Sequence, residues 1–270
     1  MMSRFWSDLG TRDFAALDPA TTVAVLPVAA TEQHGPHLPL SVDQALVDGV
    51  IGAALPHLAP ELPVLFLPTQ QVGYSPEHSR FAGTLTLSAA TVAAIWIELG
   101  QCVAAAGLKK LLLLNSHGGQ VSVMDIVARE LRSRCDLIAY SCSWWNLPLG
   151  PEVNGLFSAE EHRFGVHGGE IETSMMLALR PQSVAMELAR DFKSTSQERA
   201  ASYPILGNGS SAKLGWQMQD YNAAGAAGNA AAATGEKGQA VVQAAGRQLA
   251  LLLAELSRLP LSTLVDKPQA

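Results

Sequence analysis

The sequence contains no run of lysine or arginine and no long apolar stretch. Its 270 residues carry 18 Lys and Arg against 24 Asp and Glu, which gives a formal net charge of −6. A basic patch of the kind that binds nucleic acid or an anionic membrane is therefore not expected. No segment reaches the roughly 18 uninterrupted apolar residues that a membrane-spanning helix needs. These absences predict a small-molecule substrate, with neither nucleic acid nor membrane as a partner.

The sequence has few cysteines, and its first residues are not uniformly apolar. Arg4 and Asp8 interrupt the apolar core that a signal peptide would need. Cys102, Cys135 and Cys142 are an odd number without Cys-x-x-Cys spacing, and each lies in an apolar periodic segment. Free cysteine behaves as a small hydrophobe. We predict three buried free thiols and a cytoplasmic protein.

Short runs rich in β-branched residues or leucine alternate with amphipathic segments of helix length. This alternation is typical of parallel strands joined by crossover helices. The predicted strands span residues 22–28, 63–68, 109–115 and 137–142. The predicted helices span about residues 44–55, 89–106 and 120–134, a segment from near Gly169, and residues 236–258. The expected fold class is α/β: a single domain over residues 1–270, with a mostly parallel sheet flanked by helices on both faces.

Two long segments lack this periodicity. Residues 143–166 contain two prolines and the pair Trp144–Trp145, and loops of this length are usually functional or make oligomer contacts. Residues 192–235 are rich in Ser, Asn, Gly and Ala, which fits either a linker or an ordered surface loop. No Gly-x-Gly-x-x-Gly motif follows a predicted strand, which argues against a nucleotide-binding oxidoreductase.

Five of the seven histidines lie in turns that follow predicted strands or open predicted helices. Open parallel sheets bind ligands outside the carboxyl ends of their strands, so these turns are expected to meet. The first turn holds Glu32, His34 and Asp43, whose oxygen and nitrogen donors suit a divalent cation such as zinc or manganese. Taken alone, however, Glu-x-His in a loop is a common pattern.

Two later turns repeat this combination of histidine, glycine and carboxylate. His117 follows the third strand in the run Asn-Ser-His-Gly-Gly, where the glycines leave room for an ion or a substrate. His167 precedes two glycines, after which Glu170 and Glu172 open a helix. Acidic residues at that position also stabilise a helix through its dipole, so each turn taken alone has a purely structural explanation. Three such turns at one sheet edge favour a metal site.

Two divalent cations per chain fit this ligand set better than one. Five or more nitrogen and oxygen donors exceed the three that a mononuclear catalytic zinc site normally uses. Asp43 could bridge the pair, and a shared water would then lose a proton near neutral pH and become the nucleophile.

Four motifs, in this order, make the chain resemble the creatininase family over about residues 25–184. They are Glu32-Gln33-His34-Gly35-x-His37-Leu38-Pro39 with Asp43, Gly73-Tyr74-Ser75-x-Glu77-His78 with Phe81-x-Gly83-Thr84, Asn115-x-His117-Gly118-Gly119, and His167-Gly168-Gly169-Glu170-x-Glu172-Thr173-Ser174. The resemblance implies one cation held by Glu32, Asp43 and His117. It implies a second held by His34, Asp43 and a further glutamate. Zinc is the expected metal, with manganese or iron as alternatives.

The further glutamate is where the sequence departs from the creatinine-hydrolysing members of the family. Those enzymes carry it two residues after the histidine of the third-strand turn, where this chain has Gly119. They also carry a non-acidic residue at the position of Glu170. We therefore predict that Glu170 supplies the missing carboxylate, as in family members that hydrolyse other amides, including formamides of pyrimidine intermediates.

The resemblance also implies roles for residues around the cations. His167 matches the family's proton shuttle, and an unperturbed pKa near neutrality would suit protonation of a departing amine. Glu170 is predicted to take part in catalysis with His167, and Glu172 to orient its neighbours through hydrogen bonds. The predicted substrate contacts are Ser75, His78, Gly118 and Trp145.

The predicted activity is hydrolysis of a non-peptide C–N bond in a small cyclic amide or formamide. The alternatives are interconversion of creatinine and creatine, and a non-catalytic metal-binding module of the same fold. A full ligand set, a proton shuttle and open glycine-rich turns argue against the module. The resemblance favours a homo-oligomer, with a hexamer built from dimers expected.

Overall fold

The centre of the molecule is a parallel β-sheet. The computed structural model describes residues 3–267. Four strands lie in the order β2-β1-β3-β4, and all three neighbouring pairs are parallel. The strands are β1 (Val23–Val28), β2 (Val64–Phe66), β3 (Lys110–Asn115) and β4 (Ile138–Ser143). The central strands β1 and β3 are buried along their whole length, which explains why both are nearly continuous apolar runs.

Nine α-helices occur within residues 3–267. They are α1 (Val42–Ala54), α2 (Ala89–Ala105), α3 (Val121–Cys135), α4 (Pro151–Asn154), α5 (Ala159–Phe164), α6 (Glu170–Leu179), α7 (Thr195–Ser202), α8 (Met218–Tyr221) and α9 (Gly235–Arg258). None of these helices is long and apolar enough to span a membrane. The ends of the helices predicted from the sequence lie within two residues of the observed ends.

Helices cover both faces of the sheet, as predicted. Successive side chains of a strand point to opposite faces, so Val23 and Val25 of β1 join one core while Ala24 and Leu26 join another. The first core also contains residues of α1, α6 and α9, and the second contains residues of α2 and α3. The predicted α/β class with a parallel sheet between two helical layers is confirmed.

The ends of α2 follow the signals in the sequence. Ser88 Oγ accepts a hydrogen bond from the backbone N–H of Thr91, so Ser88 caps this helix as predicted. Beyond the other end, Gly107 has a φ of 88°. Glycine adopts this left-handed conformation without a steric penalty, so it ends the helix.

Both segments predicted as loops contain ordered structure. Residues 143–166 include α4 and α5, and residues 192–235 include α7 and α8. A short antiparallel pair joins β5 (Asp191–Phe192) to β6 (Gly228–Asn229). Phe192 also packs with the buried residues Ala226 and Ala230. The linker alternative for residues 192–235 is therefore wrong, because pairing and packing hold the two ends of this segment together.

The cysteines depart from the prediction of buried thiols. Cys102 is exposed, and Cys135 and Cys142 are partly buried. The buried residues of α2 include Trp96 and Val103, which face the sheet. Cys102 lies on the opposite, solvent-facing side of this helix, which the apolar sequence around it did not reveal.

Candidate metal centre

The three histidine-bearing turns lie together beyond the carboxyl ends of the central strands. The first turn joins β1 to α1, the second joins β3 to α3, and the third leads into α6. Neighbouring parallel strands end at the same edge of a sheet, so their turns bring polar side chains to one place. Glu32, His34, Asp43 and His117 lie there, and each is 3% exposed or less.

Asp43 lies at the centre of this cluster, in the first turn of α1. Its Oδ1 is 3.5 Å from His34 Nε2, and its Oδ2 is 3.6 Å from His117 Nδ1. The two oxygens of one carboxylate therefore face two different histidines. This geometry lets Asp43 offer one oxygen to each of two cations.

A carboxylate accompanies each histidine. Glu32 Oε1 lies 3.1 Å from His117 Nδ1, so Glu32, Asp43 and His117 surround one position. Glu172 Oε2 lies 3.9 Å from His34 Nε2. Ligand atoms of His34, Asp43 and Glu172 all lie within 4.8 Å of one another, and they surround the second position.

Glu170, predicted as a metal ligand and catalytic residue, faces away from the cluster. Its carboxylate pairs with Lys237 Nζ on α9, and its backbone N–H donates to Glu161 Oε1 at 2.6 Å. An α-helix turns about 100° per residue, so Glu170 and Glu172 point in roughly opposite directions. The prediction for Glu170 is corrected: Glu172 is the glutamate of α6 that reaches His34 and Asp43.

Glu172 also fulfils part of the structural role predicted for it. Its Oε2 accepts a hydrogen bond of 2.6 Å from the backbone N–H of Gly168. This contact ties Glu172 to the turn that precedes α6 and holds the carboxylate in place beside His34.

The residues present fit a cation. Glu32 Oε1, His34 Nε2 and Asp43 Oδ2 are buried and have no hydrogen-bond partner, an arrangement that is costly for polar atoms. Burial raises the pKa of Asp43, and the charge of Glu32 raises it further. Burial lowers the pKa of His34, but the neighbouring carboxylates of Asp43, Glu172 and Glu32 together outweigh this effect and raise it to about 9. The cluster therefore attracts positive charge, which a divalent cation would supply.

Ser75, predicted to contact substrate, instead contacts a member of the cluster. It is fully buried, and its hydroxyl donates a hydrogen bond to Glu32 Oε2. This bond leaves Glu32 Oε1 as the oxygen that faces His117. Ser75 thus orients Glu32, and the sequence could not show this because the two residues are far apart along the chain.

Three histidine rings stack beside the cluster. The His167 ring lies between those of His34 and His78, with centroids 4.1 and 4.0 Å away. His167 Nε2 is 2.6 Å from the backbone oxygen of Gln33. Because that oxygen only accepts, Nε2 carries the hydrogen, and the lone pair of Nδ1 faces Glu32 Oε1 at 3.7 Å.

The electrostatic environment of His167 differs from the prediction of an unperturbed pKa. Burial lowers the pKa of this imidazole well below its usual value, and the neighbouring His34 and His78 lower it further. Burial also lowers the pKa of His78, to about 4. His167 is therefore a neutral imidazole with a lone pair directed at the cluster.

A cavity of about 720 Å³ opens onto the cluster, and its lining includes Glu32, Asp43 and Glu172. His167 and three of the predicted substrate contacts, His78, Gly118 and Trp145, also line this cavity. The walls combine aromatic and aliphatic side chains with polar ones, and within residues 3–267 Lys213 is the one lysine or arginine of the lining.

Three contributors to this region had no role in the sequence analysis. Glu77 lies 3.2 Å from His117 Nε2 and belonged to a recognised motif, which was the available signal. Trp216 lies edge-on to His78 with ring centroids 6.1 Å apart. Lys237 pairs with Glu170 from α9. Trp216 and Lys237 come from segments with no recognisable motif, and only the tertiary structure brings them here.

The chain was compared with known protein families and sequences. The profile of the creatininase family, described as creatinine amidohydrolase, matches residues 7–253. The mycofactocin precursor peptide peptidase of Mycobacterium tuberculosis is 30% identical over 188 residues, which are 67% of each chain. The creatinine amidohydrolase of Pseudomonas putida is 31% identical over 182 residues, which are 63% of this chain and 68% of that protein.

Solved structures share the fold. A Bacteroides fragilis protein described provisionally as a creatinine amidohydrolase superposes with a TM-score of 0.75 at 25% identity, covering 95% of this chain and 98% of that one. A manganese creatininase gives a TM-score of 0.71 and a mutant creatininase of the Zn–Zn type gives 0.70. Each of these two is 25% identical and covers 94% of this chain and 98% of its own.

Proposed function

Because this chain belongs to the creatininase family of hydrolases, we propose that it is a dinuclear metal-dependent amidohydrolase that cleaves a C–N bond of an amide. The observation that carries the proposal is the shared carboxylate of Asp43, whose two oxygens face His34 and His117. One cation would be held by Glu32, Asp43 and His117, and the other by His34, Asp43 and Glu172. Zinc is the proposed metal, with manganese or iron as alternatives.

The protein's own residues orient the reacting groups. When bound, the two cations would polarise an amide carbonyl and would lower the pKa of water towards neutrality. Ser75 holds Glu32, and the backbone N–H of Gly168 holds Glu172, so both carboxylates are in place before substrate arrives. Preorganised charges of this kind need no rearrangement during the reaction.

His167 is the proposed proton carrier. Its Nε2 hydrogen is held by the backbone of Gln33, so Nδ1 is the atom free to accept a proton. From there the proton would pass to the departing nitrogen. A neutral imidazole is the form that this step requires at its start, and the low pKa of His167 maintains that form.

The proposed substrate class is a small cyclic amide or a formamide, and interconversion of creatinine and creatine is an alternative. A peptide is a second candidate. Two observations favour the peptide: the cavity of about 720 Å³ exceeds what a small cyclic amide fills, and a relative that matches 67% of this chain is named a peptide peptidase. Cytoplasmic location, a single domain and assembly into a homo-oligomer, with a hexamer favoured, stay predictions.

The test is metal analysis combined with a substrate panel. We expect about two Zn, Mn or Fe per chain in protein purified without chelator. We expect hydrolysis of at least one of four classes: cyclic ureas, lactams, formamides and short peptides. Chelator-treated protein is the control, and it should regain activity when metal is returned. A parent that binds no metal, and gains no thermal stability from any added cation, would sink the proposal.

A further inference from the structure

Glu77 is a buried carboxylate to which the proposed reaction assigns no role. It lies in a short helical turn, Pro76–His78, and is 7% exposed. Its Oε1 lies 3.2 Å from His117 Nε2 and makes no hydrogen bond of ordinary geometry within residues 3–267. A buried carboxylate without a partner is costly, so its position calls for an explanation.

The surroundings of His117 define which ring nitrogen carries the hydrogen. Nε2 faces the backbone oxygen of Tyr74 at 3.1 Å and Glu77 Oε1 at 3.2 Å, and both are acceptors. With a cation bound on the side of Nδ1, the ring is neutral and Nε2 is the nitrogen that carries the hydrogen. The lone pair of Nδ1 is then free on the side of Glu32 and Asp43, where the cation would lie.

Gly119 provides the space that Glu77 occupies. A Cβ atom at Gly119 would overlap Glu77 Oε1, would lie 2.7 Å from its carboxyl carbon, and would lie 2.6 Å from His117 Nε2. Because of these contacts, a side chain at residue 119 and the carboxylate of Glu77 cannot both occupy this place. Glycine is therefore required here for space.

We propose that Glu77 is a positioning residue that holds His117 with Nδ1 towards the metal centre. Gly119, which has no side chain, leaves the space that the Glu77 carboxylate occupies. The inference rests on the dinuclear function proposed above. A carboxylate behind a metal-binding histidine fixes the orientation of the ring and raises the basicity of the ligand.

The first test measures cation affinity. Glu77→Ala and Glu77→Gln are loaded with cobalt(II), and each is titrated with a competing chelator while the absorption spectrum is followed. We expect two cations per chain at saturation in both variants, with one of them bound about 10- to 100-fold more weakly in Glu77→Ala. Glu77→Gln should lie between parent and Glu77→Ala, because an amide oxygen keeps a polar contact with Nε2 but carries no charge. Glu187→Gln, an exposed glutamate, is the control and should match the parent.

The second test measures coupling between the two residues. Gly119→Ala should weaken the same cation by displacing Glu77. Adding Gly119→Ala to Glu77→Ala should weaken it by less than the single Gly119→Ala loss, because only the contact of the new Cβ with His117 Nε2 then remains. Strictly additive losses would overturn the pairing of Glu77 with Gly119.

The outcomes separate this inference from the proposed function. A parent without bound cations contradicts the function itself. A parent with two cations, together with a Glu77→Gln protein of unchanged affinity and cobalt spectrum, overturns only the role of Glu77. A fall to one cation per chain at saturation would show that Glu77 is a direct ligand and would also overturn the positioning role.

Discussion

The two edges of the central sheet bury charge in opposite ways. At the carboxyl ends of the strands, Glu32, His34 and Asp43 each bury an atom without a hydrogen-bond partner. At the amino end of β3, Lys110 is fully buried, and its Nζ donates 2.6 Å hydrogen bonds to the backbone oxygens of Ser257 and Leu259. The charge of Lys110 is therefore satisfied by the protein alone, whereas the first cluster needs something further.

Cavity size does not distinguish these edges. The cavity at the amino ends, about 1040 Å³, is larger than the one of about 720 Å³ at the carboxyl ends. Yet each group of potential metal ligands found within residues 3–267 lies at the carboxyl ends. The candidate functional edge is the one where buried ionisable groups lack hydrogen-bond partners within the protein. At the other edge, the buried lysine has such partners and its role is structural.

Asp43→Asn should produce the largest effect. It removes the proposed shared ligand, so we expect activity to fall about 1000-fold or more, since metal ions supply several kcal/mol of transition-state stabilisation and each 1.4 kcal/mol is about tenfold. The thermal stability of the chelator-treated protein should not fall. The folded state raises the pKa of Asp43, so its charged form opposes folding at neutral pH, and this cost offsets the pairing with Asp43 that raises the pKa of His34.

Steady-state kinetics and thermal unfolding with and without chelator check this prediction. A marked loss of stability in metal-free Asp43→Asn would contradict the distinction between the two edges, because it would assign Asp43 a structural role.

Glu172→Gln and Glu170→Gln should separate two neighbouring carboxylates of α6. We expect Glu172→Gln to lower the metal content from about two cations per chain towards one and to reduce activity about 100-fold. Glu170→Gln should keep both cations, because it loses only the contact with Lys237. Elemental analysis measures the metal content of both variants. A loss of metal in Glu170→Gln alone would show that Glu170 is the ligand, as the sequence predicted.

Lys110→Met should lower the stability of the folded protein and leave the rate of catalysis unchanged. The substitution leaves the backbone oxygens of Ser257 and Leu259 without a donor, so we expect a loss of about 3 kcal/mol in the free energy of unfolding. Denaturant unfolding measures this loss, and kcat per folded molecule should be unchanged. Lys109→Met, at the adjacent and less buried lysine, is the control and should stay within about 0.5 kcal/mol of the parent. Equal losses in the free energy of unfolding for the two lysine variants would contradict the structural role of Lys110.

The cysteines should give the smallest effect, a difference in labelling rate. Burial raises the pKa of Cys142 to about 11, so little reactive thiolate forms there at pH 8. Cys102 is exposed and should react first with a thiol reagent in the native protein. Mass spectrometry after brief labelling identifies the site. Modification of Cys142 before Cys102 would contradict the partial burial of Cys142 in β4.

The fold and most of the cluster could be predicted from local signals. Alternating strands and helices implied a parallel sheet, and the turns after β1 and β3 supplied Glu32, His34, Asp43 and His117. These four residues lie together because parallel strands necessarily end at a common edge. The choice between Glu170 and Glu172 failed because it depends on the rotation of α6 about its axis, which packing against α9 determines.

The sequence by itself therefore determined the type of fold, the chemistry of the donors and the edge of the sheet where they meet. Only the tertiary structure decided that Glu172 is the glutamate of α6 beside His34, that Ser75 holds Glu32, and that Glu77 enters the space beside Gly119. Periodicity and motifs record what a residue does within its own strand, helix or turn. The direction of a side chain across a shared cavity is set by contacts between segments that are distant along the chain.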